Sequence, residues 1–273
     1  EVLLQALRRR ARIGSLRFDR DPDTEIGRGL LPRLLDAEQS NSSLIYGDTF
    51  ILKLFRRIVP GINPDLELPH ALARTDCPRV PPPAAWFIAS ATGVGTKGVG
   101  AAAGGPVGAA PTGHGRMSRW DPCAAQRVGR RVAGPAQDTL VLGVLQPYLK
   151  GATDGWQLAL SELAKGEDFR AEARSLGRAT AEVHTALANA LPTVTLSRAQ
   201  MERLATGMTE RLDAAAQAVP ALRPYAAGLR SAYDALASLN TRDRLWPAQR
   251  VHGDLHLGQC LRAPSGEWSL IDF

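Results

Sequence analysis

The segment RVHGDLHLGQCLR, residues 250–262, gathers two histidines, an aspartate and a glutamine around two glycines. Gly253 permits a sharp backbone bend, so Asp254 projects from a tight loop where its carboxylate can accept the proton of a substrate hydroxyl. Gln259 offers an amide oxygen, a hard donor suited to Mg2+. Eighteen residues beyond Asp254, the apolar stretch GEWSLIDF delivers a second carboxylate, Asp272. A base, an oxygen ligand and a metal-binding carboxylate make up the set that phosphoryl transfer needs. His252 and His256, four residues apart, also have a zinc spacing if the segment is helical. Gly253 disfavours that helix, and no further ligand set is evident. A purely structural loop is the remaining reading.

Lys53 lies inside FILKLF, residues 50–55, with apolar neighbours on both faces. A buried ammonium without a partner is costly, so an anion should meet it. The candidates are a carboxylate, with Glu67 on the following helix the nearest suitable one, and a ligand phosphate. The alternative is an edge-strand lysine whose head reaches water. Upstream, EQSNSS at residues 38–43 reads as a polar turn. Its hydroxyls and N–H groups could cover phosphates, although such turns are commonly only turns.

The elements around these residues can be read in order. Val2–Leu7 is an amphipathic start. SLIYGDTFILKLF, residues 43–55, is two apolar runs about Gly47-Asp48, which is hairpin chemistry. A helix begins near Pro64, with Asn63 a suitable N-cap, and Pro69 should kink it or end it early. Residues 89–137 are dominated by Gly, Ala, Pro and Arg without apolar period, and are expected to be disordered or an aberrant insertion. DTLVLGVLQPYL, residues 138–149, is a buried-type strand running into Pro147. TDGWQLALSELAKG then opens a helical half. In it Leu176, Ala179, Val183 and Leu187 repeat at helical spacing, as do Met201, Leu204, Met208 and Leu212. Ser197 and Gln200 form a capping box for the second of these helices. Strands with one helix, a linker-like strand, helices, then loop and strands make an α+β plan with two lobes.

Bulk properties narrow the class. The 273 residues are 44% hydrophobic and 22% charged, as in a soluble globular protein with a sizeable core. No run of about 18 apolar residues and no charged-then-apolar leader is present, so neither a membrane span nor a signal peptide is expected. The net charge of +6 comes mostly from scattered arginine, and aromatics are only 5%, which argues against nucleic acid and suits an anionic small ligand. Cys77, Cys123 and Cys260 show no metal-ligand spacing and point to a reducing cytoplasm.

With Lys53, Glu67, HGDLHLGQ and IDF in this order, the chain resembles the aminoglycoside-phosphotransferase-like branch of the protein-kinase-like fold, and within it the bacterial maltokinases. The resemblance is most specific at AEQSNSSLIYGDTFILKLFRRIVPGINPDLEL, LGVLQPYLKGATDGWQLAL and VHGDLHLGQCLR. Many kinases of the branch have Asn where Gln259 stands, and the Gln form is maltokinase-like. The resemblance implies a two-lobed fold: an N-terminal nucleotide-binding lobe at 1–145, a hinge at 146–150, and a mostly helical C-terminal lobe at 151–273 with its catalytic loop at 250–262. It implies that Lys53 contacts ATP phosphates and is held by Glu67, that Ser40, Asn41, Ser42 and Ser43 lie over the phosphates, and that Gln146 to Tyr148 meet adenine. Asp254 becomes the base, Gln259 and Asp272 the Mg2+ donors, His252 a brace for the loop, and His256 a residue facing the sugar.

The implied reaction is ATP-dependent phosphorylation of maltose to maltose 1-phosphate in glycogen or α-glucan metabolism, with a trehalose synthase as a possible associate. The alternatives are a kinase for another acceptor, such as glucosamine or an aminoglycoside, and a non-catalytic nucleotide-binding protein. Two departures stand out. Pro147 occupies a hinge position that is usually acidic and removes an N–H donor. The family also continues beyond the IDF aspartate into helices that build the sugar site, so the C-terminal lobe is expected to be truncated and turnover weak or absent.

Overall fold

The computed structural model describes residues 1–35, 41–61, 63–90, 139–238 and 246–273. The chain divides into two compact units, the first made of Glu1–Leu66 with Pro83–Tyr148, the second of Glu67–Pro82 with Leu149–Phe273.

In the first unit a short helix, α1 (Val2–Arg8), precedes strands β1 (Arg12–Ile13), β2 (Leu16–Arg20), β3 (Pro32–Leu35), β4 (Asn41–Tyr46), β5 (Phe50–Phe55), β6 (Ala85–Ser90) and β7 (Thr139–Pro147). Among the described residues these strands form one antiparallel sheet in the order β1-β2-β6-β7-β5-β4-β3. The β4–β5 hairpin turns where expected. Gly47 and Asp48 both have left-handed backbone, φ +55° and +52°, the conformation that matches the twist of two-residue hairpins. One sheet face is closed by α1, with Leu4, Leu7, Phe18, Tyr46, Leu52 and Leu145 in a single buried cluster. The N-terminal segment, whose role the sequence leaves open, is thus a lid of that core.

Four sequence expectations are corrected here. Asn41, Ser42 and Ser43 are not a turn but the first residues of β4, paired with Phe55, Leu54 and Lys53. Polar side chains do not stop a strand whose backbone ladder is complete. Asn63 does not cap α2 (Pro64–Ala73) through its side chain, because its Oδ1 is buried without a hydrogen-bond partner while its main-chain oxygen accepts from Leu66 N–H. Pro69 does not end that helix. Its ring is buried beside Leu68 and Leu72, so apolar burial offsets the missing backbone donor. Residues 89 and 90 belong to β6. The expectations for Ser40 and for 91–137 fall outside the described residues.

The second unit continues with β8 (Thr153–Asp154), α3 (Gly155–Lys165), α4 (Arg170–Ala190), β9 (Val194–Leu196), α5 (Arg198–Ala218), α6 (Arg223–Ser238), β10 (Trp246–Ala248), β11 (Cys260–Arg262) and β12 (Trp268–Leu270). Asp154 caps α3 by accepting from Gln157 N–H, and Gly166 closes it in a left-handed conformation. The Ser197–Gln200 capping box is present on α5. Ala179, Val183 and Leu187 of α4 face Leu68 and Leu72 of α2 and Cys260, Trp268 and Leu270 of the hairpin in one buried cluster. On α5 the buried residues are Met201, Ala205, Leu212 and Ala216, while Leu204 is 38% exposed. Alanines supply the core side there, a signal too weak for periodicity alone to find. No helix among the described residues is long and apolar enough to cross a membrane.

Candidate active site

In the first unit the register decides which side chains share a face. Ser43 pairs with Lys53, Lys53 with Val144, and Ile51 with Gln146. Since alternate residues point the same way, Asn41, Ser43, Lys53 and Gln146 lie on one face of the sheet. Lys53 is 4% exposed, and Ser43 and Gln146 are buried with it. Ser42 belongs to the opposite face, where its hydroxyl accepts from Arg56 Nε at 3.1 Å, so the serine run expected to act together is split. At the end of β7, Tyr148 N–H donates to the Thr49 carbonyl at 2.8 Å, and Pro147 pairs with Phe50.

In the second unit the loop after β10 is built by short-range bonds. Gly253 has φ +89°, the bend expected of it. His252 is buried. Its Nε2 lies 2.8 Å from the Ile271 carbonyl and its ring stacks on Phe273 at 4.5 Å. The carbonyl can only accept, so Nε2 carries the proton. Burial pushes the imidazole pKa down, against opposing contributions that include the charges of Asp272 and Asp254, and the ring stays neutral near pH 7. His256 closes the single turn Leu257–Gln259. Its Nδ1 accepts from Gly258 N–H at 3.1 Å and its carbonyl from Gln259 N–H at 2.8 Å. The next residue, Cys260, is buried, which raises its thiol pKa to about 11 and leaves it unreactive.

The hairpin sets the chain segments of Gln259 and Asp272 side by side. Cys260 pairs with Leu270, and Ile271 N–H donates to the Gln259 carbonyl at 3.0 Å. Gln259 therefore enters the hairpin beside the residue that precedes Asp272. Asp272 itself has φ +59°, a left-handed conformation uncommon outside glycine and concentrated at functional sites. The donor types fit magnesium: one carboxylate, Asp272, and one amide oxygen, Gln259, where Mg2+ takes one or two carboxylates and completes its shell with water and phosphate. A zinc site takes three or four ligands from His, Cys, Asp or Glu, and among the described residues no group of three or more such side chains is placed to hold a metal ion.

Three anchors escaped the sequence reading. Glu67 is held by Arg250, with Nη2 to Oε2 at 2.7 Å. Glu172 on α4 accepts from Arg262 Nε and Nη2 at 2.7 and 2.9 Å and from Trp268 Nε1 at 3.2 Å. The Arg262 hydrogen bonds hold the Glu172 carboxyl below its ordinary pKa, and the pair locks the far end of the β11–β12 hairpin. Arg79 donates to Glu182 at 2.6 Å and contacts Glu267, while its carbonyl accepts from Leu270 N–H. The one available signal was oppositely charged residues flanking apolar strands, and that does not name partners 90 or more positions apart.

A buried lysine on an antiparallel sheet, with an HGD loop that leads through a hairpin into IDF, defines a protein-kinase-like phosphotransferase fold. The chain belongs to the phosphotransferase enzyme family (APH), whose model matches residues 130–273. Among curated proteins it is similar to a glucosamine kinase of Streptacidiphilus jiangxiensis, 36% identical over 157 residues that cover 52% of this chain and 34% of that one. Among solved structures it is similar to a glucosamine kinase in complex with glucosamine, ADP and inorganic phosphate, at TM-score 0.65 and 24% identity, covering 99% of this chain and 55% of the other. A second glucosamine kinase structure gives TM-score 0.64 at 24% identity, with the same coverage. The chain thus spans about half the length of these solved relatives and a third of the curated one. The α+β kinase-like fold expected from the motifs is the fold found. The relatives carry the name glucosamine kinase rather than maltokinase.

Proposed function

We propose that this chain carries the phosphate- and metal-handling part of an ATP-dependent sugar kinase whose acceptor is an amino sugar of the glucosamine type. The observation that carries the reading is the hairpin closure, with Ile271 N–H on the Gln259 carbonyl and His252 on the Ile271 carbonyl. It gathers the Asp254, Gln259 and Asp272 segments around one buried imidazole. Asp254 takes the proton from the acceptor hydroxyl as that oxygen bonds to the γ-phosphorus and ADP departs. Lys53, with Ser43 and Asn41 on the same sheet face, holds phosphate oxygens, and Gln146 with Tyr148 serves the adenine end. Gln259 and Asp272 hold Mg2+, which when bound offsets the charge on the phosphates. The names of the relatives favour glucosamine. Gln259 in place of the commoner Asn favours the maltose acceptor that the motif resemblance implies.

A coupled ADP-release assay separates them. Rates are measured with glucosamine, maltose or no acceptor, each with Mg2+ and again with EDTA. Acceptor-dependent, EDTA-sensitive release with glucosamine upholds the reading. The same with maltose alone transfers it to the second acceptor. Release that is independent of both sugars overturns the assignment to a sugar kinase of either kind.

A further inference from the structure

We propose that Arg250 is a positioning residue for phosphoryl transfer: its ion pair with Glu67 ties the entry of the 250–256 loop to helix α2 and so aims Asp254. The proposal rests on the sugar-kinase reading above and adds to it a residue that neither the motifs nor the relatives' names single out.

The loop has few holds. After β10, Gln249 Nε2 donates to the His184 carbonyl at 2.8 Å, and Arg250 Nη2 to Glu67 Oε2 at 2.7 Å. Val251 is exposed and makes no apolar anchor. His252 is the first buried residue, after which Gly253, Asp254, Leu255 and His256 are all exposed. A Cβ built on Gly253 meets nothing within 4 Å, so packing does not fix the bend that presents Asp254. The direction of the loop is set by what grips it just before the bend, where His252 is the buried grip and Arg250 the charged one, four residues upstream of the base. Its side chain is 35% exposed and that of Glu67 23%. A charge-assisted bond in that partly covered setting is stronger than a fully solvated pair. Glu67 in turn sits on α2, which Leu68 and Leu72 bury in the core of the second unit. The pair therefore transmits the position of a packed helix to the entry of the loop, beside the hold that buried His252 gives it.

The test uses the intact 273-residue chain. It measures kcat and KM for ATP in Arg250→Ala, Arg250→Lys, Glu67→Gln, the double variant Arg250→Ala/Glu67→Gln and the swapped pair Arg250→Glu/Glu67→Arg. Hydrogen exchange of the peptide spanning 250–260 is followed in the same proteins. The expected result is a roughly tenfold fall in kcat for Arg250→Ala, the scale of one charge-assisted hydrogen bond, with KM for ATP within about twofold, and a fall at least as large for Glu67→Gln, whose carboxylate the resemblance also sets against Lys53. The double variant is no worse than Glu67→Gln alone, and exchange is several-fold faster in Arg250→Ala. Arg250→Lys recovers part of both readouts and the swapped pair recovers more. Additive losses in the double variant, or unchanged exchange in Arg250→Ala, overturn the proposal. Asp254→Asn against the unmodified chain judges the sugar-kinase reading separately. If neither of those turns over, exchange alone decides: faster in Arg250→Ala and slowed again in Arg250→Lys upholds positioning, unchanged overturns it.

Discussion

Gly155 opens α3 with its Cα pressed against the turn that carries Gln259, and replacing it with alanine is a sharp probe of the site. A Cβ there would stand 2.7 Å from the Leu257 carbonyl oxygen, 3.1 Å from that of Cys260 and 3.1 Å from Trp268 Cζ3, where ordinary contact begins at 3.4 Å. The Leu257 oxygen must retreat by about 0.7 Å, and as backbone it can do so only by moving the Leu257–Gln259 turn. Gly155 does not appear among the positive-φ residues, so the substitution adds bulk without backbone strain. Overpacking of this kind costs about 1–3 kcal/mol, or a Tm lower by roughly 3–10 °C for a chain of this size. Because functional donors must be held to within about 0.5 Å, the Mg2+-dependent rate should fall by about tenfold or more. Gly177→Ala on α4 is the control. It is exposed, its added Cβ meets nothing within 4 Å, and relief of the helix penalty of glycine should stabilise by about 0.5–1 kcal/mol without touching the rate. Differential scanning calorimetry with the ADP-release assay reads both. A Gly155→Ala protein as stable and as active as the original refutes the placement of α3 against the Gln259 turn.

Three further outcomes concern an anchor, the buried imidazole and the helical core. Glu172→Gln keeps the shape but removes the charge that Arg262 holds, and should cost about 1–2 kcal/mol, read as a lower denaturation midpoint at neutral pH. Because the folded carboxyl titrates below its ordinary value of 4.5, its contribution is complete above that value and is lost as pH falls through the lower folded pKa. The variant should accordingly show a shallower acid slope below pH 4.5. For His252 the folded pKa lies below the ordinary 6.5, so its contribution is complete above 6.5 and declines as pH drops below that towards the folded value. His252→Gln should flatten the stability profile just below pH 6.5, and an unchanged slope contradicts a buried neutral imidazole. Leu187→Ala, fully buried on α4, should cost about 2–5 kcal/mol by opening a cavity, measured by urea denaturation.

Local chemistry made much of this architecture legible in the sequence. Gly47-Asp48 named its hairpin, Ser197 and Gln200 their capping box, and Ala179, Val183 and Leu187 their buried stripe, because each depends on neighbours within a few residues. The order HGD, Gln, IDF similarly announced a loop feeding a hairpin. What stayed hidden depends on register and distant partners. Ser42 and Ser43 look equivalent in sequence, yet the one-residue step of a strand sends them to opposite faces. Pro69 reads as a stop, and only its burial against the α2 core explains why the helix continues. Arg250, Arg262 and Arg79 read as scattered basic residues until folding brings Glu67, Glu172 and Glu182 beside them.

The central claim, that the carboxylate of Asp254 deprotonates the acceptor hydroxyl during transfer from ATP, is tested most directly by the single-turnover rate of phosphoryl transfer to glucosamine in Asp254→Asn. The account predicts a rate lower by about 10²–10⁴, with ADP affinity in the presence of Mg2+ kept within a few-fold. A variant that transfers phosphate as fast as the original chain contradicts it.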